Sequence, residues 1–196
     1  MSRKRNKKKN KKTSRFRFVG DRVSDGNKKL DNLVKVLFIL GLISLVFEII
    51  LYRKTIIELK IPLIIWLTPG IILTPLLYNR MNDIDGMKAH WTMHYILHTC
   101  MTGAFILYAF MATNYYLATD YAETKTFKVI EKGSLPGSKN NRSERQPYVM
   151  INYEGMEKQL IFSYPETTKI NSAKTATLRV KKGLWGYDIL ENYDVN

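Results

Sequence analysis

WTMHYILHTCMTGAFILYAFMATNYYL, residues Trp91–Leu117, is an unbroken apolar run of 27 residues that opens on regularly spaced histidines. A bilayer-spanning helix needs about 20 predominantly apolar residues, so this run is long enough to cross a membrane. Two more such runs precede it, Leu33–Tyr52 with 20 residues and Ile61–Tyr78 with 18. The expected fold is therefore an α-helical membrane domain of three transmembrane helices, about 33–52, 61–78 and 91–117. A small all-β C-terminal domain, an antiparallel barrel or sandwich, comes after them.

The basic residues are segregated. Residues 1–32 hold thirteen Lys/Arg against three Asp, whereas residues 118–196 hold twelve Lys/Arg against ten Asp/Glu. The formal charge of +14 thus resides mostly in an N-terminal arm. Residues 1–32 read as a disordered basic cytoplasmic arm attracted to anionic lipid headgroups. No folded nucleic-acid module accompanies the arm, so no specific nucleic-acid partner is expected. Leu33–Tyr52 is too long for a signal-peptide core and reads as an uncleaved anchor.

Arg80 and Lys88 come after the second run, and Arg53, Lys54 and Lys60 separate the first two. The positive-inside rule then predicts a multi-pass protein of the cytoplasmic (inner) membrane, N-terminus inside and residues 119–196 extracytoplasmic. Pro69 and Pro75 weaken the second run as a helix, with Thr68 and Thr74 placed to take up freed carbonyls. A re-entrant second run would leave the β domain inside.

Residues 119–196 read as five short strands, Thr126–Glu131, Tyr148–Tyr153, Glu157–Ser163, Thr175–Lys181 and Leu184–Leu190. Glu154-Gly155 marks a hairpin, and Gly133–Gln146 reads as a mobile loop. Tyr148, Tyr153, Phe162, Tyr164, Trp185 and Tyr187 are expected to supply the core and one face. This segment contains neither histidine nor cysteine, no nucleophile elbow and no phosphate loop. Catalytic residues are therefore not assigned. The chain's one cysteine, Cys100, lies inside the third run.

The three histidines, His90, His94 and His98, are four residues apart. On a helix that spacing drifts only about 40° per step, so they form one stripe, which Thr102 continues. A polar stripe in a membrane faces other helices or a partner. His94, His98, Thr99, Thr102 and Gly103 therefore form the expected helix interface, within the chain or with another subunit or a second copy. Three histidines rising about 12 Å along a helix cannot reach one ion, whose ligand bonds are about 2 Å. A metal site would use His90 and His94 with Asp83 and Asp85 from the preceding loop. A bis-histidine haem would need a further histidine from a partner. Glu48 is a candidate intramembrane charge, expected near the outer interface.

The function read from these features is a non-enzymatic accessory or assembly subunit of a membrane complex, or a binding protein presenting its β domain outside. Two alternatives remain: a metal- or haem-linked protein using the histidine stripe, and a proton-coupled or transporter-associated subunit using Glu48.

Overall fold

The computed structural model describes residues 25–82, 88–137 and 144–196. Most of the basic arm, Asp83, Asp85 and the middle of the Gly133–Gln146 segment lie outside the described residues. Three helices are long and apolar enough to cross a membrane. These are α1 (Asp25–Lys54), α2 (Lys60–Asn82) and α3 (Trp91–Tyr116). The second run is one continuous helix despite Pro69 and Pro75. Thr68 Oγ1 donates to the Ile64 carbonyl at 2.6 Å, but Thr74 makes no such bond. Pro69 and Pro75 leave the carbonyls of Ile65 and Ile71 without their helical N–H, and neither threonine bonds to these, so the expected rescue by Thr68 and Thr74 is not seen.

α3 is the central helix, with 33 % of its apolar window buried against 11 % for α1 and 17 % for α2. It carries a π turn at Thr99–Gly103, where the Ala104 N–H reaches the Thr99 carbonyl five residues back. Helix backbones come into direct contact around this turn. A Cβ at Gly41 of α1 would lie 2.1 Å from the Cys100 carbonyl oxygen, and one at Gly103 would lie 2.2 Å from the Trp66 carbonyl oxygen of α2. Only glycine fits at either position, as small residues do wherever membrane helices pack closely.

The remaining strands form one antiparallel sheet in the order β1-β6-β5-β2-β3-β4, curled into a nearly closed barrel. They are β1 (Thr55–Ile56), β2 (Ala122–Leu135), β3 (Gln146–Tyr153), β4 (Met156–Ile161), β5 (Thr175–Lys182) and β6 (Asp188–Val195). β2 is long because it serves two partners. Its first half pairs with β5 and its second half with β3, and a register shift between Val129 and Glu131 marks the bend. The β3–β4 hairpin turns at Glu154 and Gly155, both at positive φ (50° and 94°), and joins Tyr153 to Met156. That is the two-residue geometry expected of the Glu-Gly pair. Alternation buries Val149, Ile151 and Tyr153 on β3 and Ala176, Leu178 and Val180 on β5. A short helix, α4 (Thr167–Ser172), adds Ile170 to this core.

Three sequence expectations change here. The last strand is Asp188–Val195, not Leu184–Leu190, because Leu184, Trp185 and Gly186 form the turn that meets the helices. Tyr164 and Trp185 are exposed, so the aromatic core rests on Tyr153 and Phe162. A sixth strand comes from outside the C-terminal segment. Thr55 and Ile56, between α1 and α2, pair with Ile189 and Asp188 of β6, and Ile56 enters the β core. Lys158 Nζ of β4 donates to the Thr55 carbonyl at 2.9 Å, bridging the two edges of the curled sheet.

Asn114, fully buried at the end of α3, completes the junction. Its Nδ2 donates to the Tyr187 carbonyl (3.2 Å) and its Oδ1 accepts the Trp185 N–H (3.0 Å). Trp185 stacks on Phe110 and donates its indole N–H to Thr113 Oγ1 at 2.9 Å. Unpaired buried polar groups cost about 1–3 kcal/mol each. Asn114→Ala is therefore expected to lower stability by about 2 kcal/mol, read as a reduced Tm of the detergent-purified protein with tryptophan emission as the probe. An unchanged Tm would show that the junction bonds contribute little.

Candidate functional site

The helix interior holds the most unusual chemistry of the described residues. Trp66, Gly70, Thr74 and Tyr78 recur every fourth residue along α2 and face α3 in antiparallel order. Trp66 meets Gly103, Gly70 meets Thr99, and the Tyr78 ring meets His94 edge-on at 5.3 Å between centroids. This stripe is visible in the sequence as an i, i+4 series of aromatic and small residues, a signal that attention to the third run alone passes over.

The stripe on α3 is revised at both ends. His90 is the N-cap, with ψ of 148°, exposed, and its Nδ1 engages Thr92 through both the hydroxyl (3.0 Å) and the backbone N–H (3.4 Å). It stands outside the helix rather than in register with His94. At the other end the π turn inserts one extra residue, which rotates the remainder of the helix about its axis. Thr102 is consequently only half-buried, whereas Gly103 and Ala104 are buried. His94, His98 and Thr99 remain on the packed face at 3 %, 1 % and 4 % exposure. This face is an interface within the chain, against α1 and α2.

Six residues in these helices carry buried side-chain atoms without hydrogen-bond partners among the described residues: Glu48, half-buried Trp66, Thr74, His94, His98 and Thr99. The hydroxyls make the point most clearly. Ser44, Thr68 and Thr113 on the helices, and Thr55 just beyond α1, donate to the carbonyl four residues back. Thr74 and Thr99 do not, although both are buried. Their hydroxyls are free to serve a ligand or a polar neighbour. Glu48 is buried. Gly41 marks the level of Cys100, so Glu48, seven residues along, lies about 10 Å from that level toward the β-domain end. It is thus not brought together with the histidines. Among the described residues no three metal-ligating side chains gather, and Asp83 and Asp85 lie outside them.

A second polar centre sits in the β domain, around a recess of about 300 Å³ lined by Thr119, Tyr121, Glu123, Lys125, Lys182 and Asp188. Lys125 donates to Tyr153 Oη (3.0 Å), and Tyr153 donates to Asp188 Oδ2 (2.5 Å). Lys182 pairs with the other oxygen of Asp188 at 3.0 Å, and Lys125 also holds Glu154 at 3.0 Å. Burial, then the bond to Asp188, pushes the Tyr153 phenol up to about 12. Hydrogen bonds to Tyr153 and Glu154 hold the Lys125 ammonium above its ordinary range. Burial pushes the Asp188 carboxyl up, but the bonds from Tyr153 and Lys182 and the two lysine charges outweigh it and hold it below the ordinary range. Lys125 and Lys182 share Asp188 and Lys181 pairs with Glu191, so these charges are committed to one another. Such a cluster rigidifies the junction-facing end of the barrel. Its groups are held in their resting protonation states, which suits structure or recognition rather than proton transfer.

Linkage gives the pH response. The raised Tyr153 and Lys125 stabilise fully below their unfolded values near 10 and 10.5, and that stability is lost as pH rises above them. The lowered Asp188 stabilises above its unfolded value near 3.8 and is lost as pH falls through the folded one. Tm should hold level between about pH 5 and 9 as far as this cluster decides it. Tyr153→Phe should flatten the alkaline fall, measured as Tm against pH for both proteins. Identical alkaline limbs would remove Tyr153 as the cause. Compared with known proteins, the chain stands apart: no protein-family model matches it, and neither does any curated protein or solved structure.

Proposed function

We propose that this chain is a multi-pass protein of a cytoplasmic membrane that presents its six-stranded domain as a rigid extension on the outer surface. It acts there as a non-enzymatic accessory or binding subunit. One observation carries the reading: the strand between the first two helices belongs to the sheet of the C-terminal domain. A domain built from both sides of the helical segment cannot swing on a tether, so whatever it binds is held at a defined height and orientation over the bundle. The wide apolar surfaces of the helices support membrane residence. Ile39, Val46 and Ile49 on α1 and Ile64, Ile71 and Leu76 on α2 are all more than half exposed. In water a contiguous surface of this kind would drive aggregation; in a bilayer it is ordinary.

The same junction supports three full spans. The α1–α2 turn and the start of β2 after α3 lie at one end of the bundle, so the helices run up, down and up. With the start of α1, which the basic arm precedes in sequence, and Arg80 and Lys88 at the other end, the charge bias favours an inside N-terminus and an outside β domain. Anionic headgroups then face the arm, and protein partners, whether other subunits or further copies, meet the β domain or the lipid-facing helices.

Thr168→Cys, on the exposed surface of α4, tests the orientation in a Cys100→Ala background. A membrane-impermeant maleimide should label it in intact cells. Labelling only after lysis would put the β domain inside and overturn the arrangement.

A further inference from the structure

A cleft of about 580 Å³ opens between α2 and α3 at the end of the bundle away from the β domain. Gly70, Thr74, Pro75, Tyr78, Trp91 and Tyr95 form its walls, with Ile71 at its lip, 62 % exposed. Its size is that of a small-molecule site, and inter-helix clefts with apolar walls and a few polar groups are where such sites occur. Three aromatic rings, Tyr78, Trp91 and Tyr95, offer flat surfaces. No lining residue is charged, which disfavours a phosphate or an ammonium head. One lining group is polar, buried and unpartnered: the hydroxyl of Thr74, a residue 4 % exposed, which forgoes the internal bond that Thr68 makes six residues earlier. The opening faces the same surface as exposed Ile71, the surface that meets lipid tails in the proposed membrane setting.

We infer that this cleft binds a quinone-class molecule, an uncharged flat ring with carbonyl acceptors and an apolar tail. The ring lies among Tyr78, Trp91 and Tyr95, a ring carbonyl accepts the Thr74 hydroxyl proton, and the tail leaves past Ile71 into the bilayer. Thr74 is the lining residue whose donor is both buried and unpartnered among the described residues, and the acceptor is assigned to its hydroxyl. His94 meets the Tyr78 ring edge-on at 5.3 Å between centroids. The assignment is one of binding and involves no electron transfer. It rests on the helices lying in a membrane.

The test uses the full-length chain in phosphatidylcholine nanodiscs and a decyl-tailed benzoquinone as probe, with partitioning into protein-free discs subtracted. Wild type should bind the probe saturably. Thr74→Val, which keeps the volume and loses the donor, should weaken binding roughly 3- to 10-fold, the range of one hydrogen bond. Ile71→Trp, an exposed position whose enlargement closes the lip, should abolish the saturable component, and Thr74→Val decides the matter should Ile71→Trp fail to fold. Equal, unsaturable uptake by all three proteins would overturn the site. So would a tightly held phospholipid, seen by native mass spectrometry, that Ile71→Trp releases and the quinone does not displace. Alkaline extraction of the expressing membranes reads the premise separately. A chain released into the supernatant fails the membrane reading, whereas a retained chain without saturable binding fails the quinone site alone.

Discussion

Close backbone contact at the π turn of α3 is the constraint on which the helical half of this protein depends. In the membrane setting proposed above, helices gain no hydrophobic free energy by packing on one another and would associate through contact area and polar bonds. Gly41 and Gly103 let the α1 backbone reach the carbonyl of Cys100 and the α3 backbone reach that of Trp66. Gly70 seats Thr99 in the same way, since a Cβ there would lie 2.0 Å from Thr99 Oγ1. The π turn supplies the extra residue that brings both faces of α3 into use, one toward each neighbour. Thr99 opens this turn, and Thr99, His98 and His94 lie buried beside it. π turns of this sort recur at functional sites because their strained register is kept only where something is gained by it.

The other half of the protein is tied to the first by hydrogen bonds, ladder pairing and the packing of Trp185 and Tyr187 on Phe110. Asn114 meets the turn before β6, and β1 adds its two residues to the same strand. The Asp188 cluster stands at that point as well, since Asp188 pairs with Ile56 in the ladder. Helix ends, the barrel edge and a buried carboxylate thus converge within a few residues. A displacement at the end of α3 must either move the barrel or break this set of bonds.

Burial of polar groups obeys two different rules in the two halves. In the barrel, Asp188, Tyr153, Lys125 and Lys182 satisfy one another, and the cluster is closed. In the helices, Thr74, Thr99, His94, His98 and Glu48 are buried without partners among the described residues. An unsatisfied buried group is costly, and natural proteins retain such groups where a ligand, a proton or a partner uses them. The contrast separates the two halves: polar groups close on one another in the barrel and stand unpaired in the helices.

The three helices, the small β domain and the Glu-Gly hairpin were legible in the sequence, because hydrophobic run length and strand alternation are local properties. The packing face of α3 was legible too, through His94, His98, Thr99 and Gly103 at helical spacing. The sixth strand was not, since two residues between helices have no periodicity and become a strand only when β6 offers its edge. Nor was the final strand, because Leu184 and Trp185 look like strand residues and are claimed instead by Asn114 and Phe110. His90 left the stripe because capping the first turn engages its Nδ1, and Thr102 left it because a π turn has no sequence signature that separates it from an α-helix. By itself the sequence determined which segments avoid water and where the charge lies, both properties of composition along the chain. Tertiary structure alone decided which polar groups find partners, because that depends on close approach between residues such as Gly70 and Thr99 or Asn114 and Trp185, set by packing and not by spacing in sequence.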